Sequence, residues 1–196
     1  MTRRQAQALA SVALAAGIVV TDQIIKVAVK TGMYLHQSIK VTNWFHILFT
    51  ENDGMAFGIE WFDKLFLTIF RIIAVGVLIW YMHRLIKRGT RNSYLTMIAL
   101  TTAGALGNII DCIFYGQWFG YAPLFYGKVV DMLYFPIIDT TLPAHFPIWG
   151  GRHVIFVRPI FNIADSCITC GAIYLLLFQW KFFAKSEKKE NSENNS

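Results

Sequence analysis

Four long apolar runs, at roughly 8–29, 65–82, 94–114 and 160–183, constrain this chain more than any other feature. A bilayer core needs about 20 apolar residues per helix, and each run approaches or meets that length. The first is weakest, because it is Ala-rich and carries Asp22 and Lys26 near its end. Composition agrees, with 55% hydrophobic and 15% aromatic residues among 196. The expected fold is an all-α integral membrane protein with four transmembrane helices. A single membrane-embedded domain covers residues 1–185, and the polar sequence "KSEKKENSENNS" marks 186–196 as a disordered tail.

The basic residues give the orientation. Arg3 and Arg4 precede the first run, Arg84, Lys87, Arg88 and Arg91 fill the short link between the second and third, and Lys181, Lys185, Lys188 and Lys189 close the fourth. Cytoplasmic segments are the ones enriched in Lys and Arg, so both termini are placed in the cytoplasm. Two longer loops, about 30–64 and 115–159, then face outward. A net charge of +6 is used up by this distribution and does not indicate nucleic acid. Arg3-Arg4 before an Ala-rich run has the look of a cleavable leader, but "TDQIIKVAVK" continues the helix with no small-residue cleavage site after it.

The outward loops carry some pattern of their own. "VTNWFHILFTENDGMAFGI" joins strand-prone residues to the turn sequence "ENDG", which predicts a short extended or hairpin element. "GKVVDMLYFPI" sets Asp131 in a loop ahead of an aromatic-rich interfacial run.

Ionisable groups inside a bilayer cost at least about 2.5 kcal/mol each at a helix centre, so they tend to mark function. Here they are Asp22 and Lys26 at i, i+4, Arg71, and two Asn-x-x-Asp pairs: Asn108 with Asp111 in "NIID", Asn162 with Asp165 in "NIAD". On a helix, i, i+3 spacing puts each amide beside its own carboxylate. Gly104 and Gly107 in "GALG" allow close helix approach. Cys112, Cys167 and Cys170 fall within predicted helices, so the C-x-x-C reads as small buried packing residues, not a redox motif.

Motifs for serine or zinc chemistry are missing: there is no H-E-x-x-H, G-x-S-x-G or Ser-x-x-Lys arrangement. Nothing in the residues calls for a metal or cofactor. What remains is a set of carboxylates, Asp22, Asp111, Asp131 and Asp165, at the outer edge of the membrane. Two carboxylates sharing a site divide into acid and base, which is the minimal equipment for hydrolysis by water. Other readings stay open on residues alone. Asp22–Lys26 serves equally as an intrahelical ion pair, Asp111 as a structural group, and Arg71 as a snorkelling cation. The whole set also suits a small transporter or proton channel, or a membrane scaffold.

Five blocks in order, "TDQIIK" at 21–26, "ENDGMAFG" at 51–58, "GALGNIID" at 104–111, "VVD" at 129–131 and "FNIAD" at 161–165, give a resemblance to the bacterial lipoprotein signal peptidases (signal peptidase II). The resemblance implies a metal-free and cofactor-free intramembrane aspartyl endopeptidase of the bacterial inner membrane. It implies removal of signal peptides from diacylglyceryl-modified prolipoproteins, before the lipidated cysteine, at a site toward the outer face. Its catalytic pair corresponds to Asp131 and Asp165. Supporting or substrate-binding positions correspond to Asp22, Lys26, Asn52, Gly54, Asn108, Asp111 and Asn162. Two departures stand out. An Arg commonly follows the third-block Asp, but here that position is Cys112, which leaves Arg71 or Arg158 to supply the cation. "YGQWFGYAPLFYG" and "FPIIDTTLPAHFPIWGGRHVIFVRP" look like outward insertions.

Overall fold

The computed structural model describes all residues except 54–63, 137, 142–150, 152, 157 and 194–196, with backbone alone at 138–141, 153–156 and 179–193. It is mostly helical. Helix α1 (Arg3–Gly32), α2 (Lys64–Lys87) and α3 (Asn92–Ile110) precede a π-helical turn (Asp111–Tyr115) and the short α4 (Gly116–Trp118); α5 (Ile163–Glu193) closes the chain. Between them lie strands β1 (Ser38–Lys40), β2 (His46–Asn52), β3 (Val129–Tyr134), β4 (Ile138–Thr141), β5 (His153–Phe156) and β6 (Ile160–Phe161).

Among the described residues three stretches, Arg3–Gly32, Lys64–Lys87 and Asn92–Trp118, are long and apolar enough to cross a membrane, and Ile163–Phe178 is a shorter apolar helix. Helix α1 starts earlier than the apolar run because Thr2 and Gln5 form a capping box. The Thr2 N–H donates to Gln5 Oε1 at 2.8 Å and the Gln5 N–H to Thr2 Oγ1 at 3.3 Å. Helix α2 stops at Gly89, whose φ of 71° lets the Thr90 N–H reach back to the Leu85 carbonyl at 3.2 Å. Helix α5 runs on to Glu193, into the segment that composition assigned to a tail.

Internal packing divides the residues into two compact units. The first comprises Met1–Thr21, Ile69–Ile109 and Ala164–Ser196, and the second Asp22–Thr68 and Ile110–Ile163. In the first, Leu85, Ile86, Tyr94, Leu95 and Ile98 form a buried cluster. Large apolar side chains such as Phe70, Ile73 and Leu176 remain exposed, as befits surfaces solvated by lipid. Helices α3 and α5 meet through glycine: a Cβ on Gly104 would lie 2.3 Å from the Ala164 carbonyl oxygen, and one on Gly171 2.1 Å from Thr101 Oγ1. Gly104→Ala is therefore expected to push the helices apart and to cost about 1–3 kcal/mol, read as a lower melting temperature in detergent.

The cysteine expectation holds only for Cys112. That side chain is buried, whereas Cys167 is half-buried and Cys170 exposed on α5. A membrane helix buries apolar residues in lipid as readily as in protein, so exposure of a cysteine there is no penalty.

The second unit contains the sheet that the loop patterns foreshadowed. Its order is β1-β2-β3-β6, all antiparallel, with Thr50 opposite Asp131, Asn52 opposite Val129, and a bulge between Ile47 and Thr50. A second sheet pairs β4 with β5 inside the longer insertion. Val29, Phe49, Tyr115, Val130 and Met132 form the core here.

Candidate active site

Asp131 does not sit in a loop. It is the third residue of β3, and Val129, Val130, Asp131 and Met132 are all buried, so the strand shows no polar–apolar alternation in sequence. Two β-branched residues before it and Tyr134 after it supply the strand preference. Asp131 is 3% exposed. Asn52 shares its face of the sheet by the two-residue repeat along β2.

Asn162, fully buried between β6 and α5, donates from Nδ2 to Asp131 Oδ1 at 2.7 Å and to the Val130 carbonyl at 3.3 Å. Asp165 lies in the first turn of α5, where the helix dipole favours negative charge. Its Oδ1 accepts from Asn108 Nδ2 at 2.7 Å. Each asparagine of the two Asn-x-x-Asp motifs thus bonds a carboxylate outside its own motif, beyond the intrahelical pairing that spacing suggests. Asn108 holds the carboxylate of the later motif, and Asn162 holds the strand carboxylate.

Asp111 opens the π-helical turn, a wider helical form that recurs at functional sites. Lys26 reaches it at 2.7 Å and Asp22 at 2.9 Å, with Lys26 and Asp111 0% exposed and Asp22 1%. Asp22–Lys26 is therefore more than an intrahelical pair. Lys26 thus stands as a cation beside Asp111, a part expected of Arg71 or Arg158 in place of Cys112. Asp111 Oδ2 also accepts a long 3.4 Å bond from the Val130 N–H, next to Asp131.

Two further residues of this network carry no signal in the sequence. Gln23 Nε2 donates to Asp111 Oδ1 at 2.8 Å and to Asp22 Oδ2 at 3.2 Å, and the Tyr115 hydroxyl donates to Gln23 Oε1 at 3.1 Å. Gly127 is a third omission. A Cβ there would stand 2.1 Å from the Asp111 carbonyl oxygen, and its N–H donates to the Cys112 carbonyl at 2.8 Å, so the chain enters β3 pressed against the π-helical turn.

The second unit thus holds Asp22, Lys26, Asn52, Asp111, Asp131 and Asn162, and the first holds Asn108, Asp165 and Arg71. Gly54 lies outside the described residues. Among the described residues no three His, Cys, Asp or Glu side chains gather as metal ligands.

Apolar helices with an antiparallel sheet and individually clamped carboxylates, Asp131 buried and Asp165 half-buried, define a membrane-embedded enzyme fold. A bacterial membrane enzyme solved by the in meso method superposes with a TM-score of 0.64 at 30% identity, covering 90% of each chain. The family model described as "Signal peptidase (SPase) II" matches residues 14–181. The chain is 47% identical over 176 residues to the lipoprotein signal peptidase of Porphyromonas gingivalis, covering 82% of this chain and 78% of that one. It is 40% identical over 172 residues to that of Amoebophilus asiaticus, covering 81% and 72%. The chain belongs to the signal peptidase II family and is a protease. That assignment sets aside the transporter and scaffold readings.

Proposed function

We propose that Asp131 and Asp165 are the catalytic pair of this peptidase, with Asn162 and Asn108 as the groups that orient them. The observation that carries this is that each of the two aspartates accepts a 2.7 Å bond from an asparagine distant in sequence, Asp165 from Asn108 and Asp131 from Asn162. The enzyme removes signal peptides from prolipoproteins, cutting before the lipid-modified cysteine.

In the first step an ionised carboxylate of the pair takes a proton from water as the oxygen attacks the scissile carbonyl carbon. The protonated partner gives its proton to the carbonyl oxygen, forming a neutral gem-diol. The C–N bond then breaks as the cysteine nitrogen takes the proton that came from water, and a gem-diol hydroxyl returns a proton to the partner. Both carboxyls end in their starting states.

The membrane setting follows the same reading. α5 supplies the fourth span, both termini lie in the cytoplasm by the distribution of Lys and Arg, and the aspartates work toward the outer face of the bacterial inner membrane. Membrane lipids surround the enzyme, and a lipid-anchored substrate arrives laterally within the bilayer. Gly54 belongs to the substrate-binding positions with Asn52, and Arg71 to the supporting ones.

Asn162→Ala is expected to lower kcat about 10- to 100-fold with a smaller change in KM, because Asp131 loses the amide that orients its Oδ1 while substrate contacts persist. Cleavage of a lipid-modified prolipoprotein in detergent gives the readout. Equal cleavage of the unmodified precursor would overturn the substrate reading.

A further inference from the structure

The first turns of α1 and α3 enclose a cavity of about 300 Å³. From α1 it is lined by Arg3, Gln7, Ser11 and Leu14, spaced three or four apart on one helix face, and from α3 by Asn92 and Leu95. Gln7 is 6% exposed. Its Nε2 donates to the Thr90 carbonyl at 2.9 Å and to Asn92 Oδ1 at 2.7 Å, which uses both amide hydrogens. A backbone carbonyl can only accept, so Thr90 settles which end of the amide is nitrogen. The oxygen, Oε1, is buried with no hydrogen-bond partner among the described residues. A buried acceptor calls for a donor.

Arg3 lines the same cavity, is exposed, and enters no ion pair among the described residues. Its guanidinium presents a fork of donors suited to a phosphate. Arg4, Arg84, Lys87, Arg88 and Arg91 occupy the neighbouring helix ends in sequence and raise the local concentration of anionic lipid. Leu14 and Leu95 continue the groove with apolar surface.

We infer that this groove binds a phospholipid whose headgroup joins a phosphodiester to a hydrogen-bond donor. The phosphate sits on Arg3, a headgroup hydroxyl or ammonium hydrogen reaches Gln7 Oε1, and an acyl chain follows Leu14 and Leu95. Glycerol and ethanolamine headgroups satisfy both contacts. Choline offers a phosphate but no donor. None of the residues lining the groove is among the proposed catalytic or supporting residues.

The test is a native mass-spectrometry titration of the purified full-length enzyme in detergent with phosphatidylglycerol, phosphatidylethanolamine and phosphatidylcholine of matched acyl chains. The first two are expected to bind about tenfold more tightly than the third, the worth of one good hydrogen bond. Gln7→Leu should erase that preference, and Arg3→Ala should weaken all three. Since Gln7→Leu also cuts the tie to Thr90, Arg3→Ala carries the test if the first variant does not fold. Equal affinity for the three lipids, or unchanged affinities in Arg3→Ala, overturns the inference. So does equal occupancy by soluble glycerol phosphate, which would make the ligand a free anion.

Discussion

Asp131→Asn and Asp165→Asn are each expected to reduce turnover of a lipid-modified prolipoprotein by at least about 10³-fold while leaving the fold intact. The substitutions are nearly isosteric. An asparagine at 131 can still accept from Asn162 through its amide oxygen, and one at 165 can still accept from Asn108, so the two 2.7 Å bonds survive. What is lost is the capacity to take and return a proton. Stability should therefore move little while kcat collapses, the reverse of what a structural carboxylate would show. Single-turnover cleavage beside a thermal melt in the same detergent separates the two cases. Full cleavage by either variant sinks the proposed pair. The double variant should be no slower than the worse single one, because residues acting as a unit lose their effect together.

The helices were legible because a span of apolar residues has one stable form in lipid, and the strands near His46–Asn52 because β-prone residues run into a turn sequence. Asp131 was legible as a chemical candidate but not as a strand residue. Its strand is buried on both faces, and a buried strand in a helical protein leaves no period-2 trace. The partners of the asparagines do not follow from spacing, for a different reason. Spacing of i, i+3 pairs residues only where both are helical, and Asn162 precedes α5 while Asp131 lies 31 residues earlier in sequence. For Lys26 the i, i+4 pair with Asp22 is the contact that a one-dimensional pattern contains. Its contact with Asp111 joins positions 85 residues apart, and Gln23 and Tyr115 enter through the same tertiary arrangement.

That arrangement makes Lys26→Met the variant with the largest expected loss of stability. Asp22, Lys26 and Asp111 are no more than 1% exposed, and the lysine neutralises two carboxylates. Removing it leaves two buried negative groups bridged by the Gln23 amide without the cation between them. Breaking a buried ion pair by deleting one partner costs about 3–5 kcal/mol, far above the cost of the lost methylene packing, which Met largely conserves. For a chain of this size that corresponds to a melting temperature lower by roughly 10 °C. The loss should extend to activity, since Asp111 also meets the Val130 N–H beside Asp131. The triple variant Asp22→Asn, Lys26→Met, Asp111→Asn removes the stranded charges together and should recover most of the stability. A melt for Lys26→Met within about 1 °C of the parent would show that the carboxylates do not depend on the lysine. Recovery in the triple variant without recovery of turnover would instead separate the two roles of Asp111, as a charge that must be neutralised and as an acceptor that holds β3 in place.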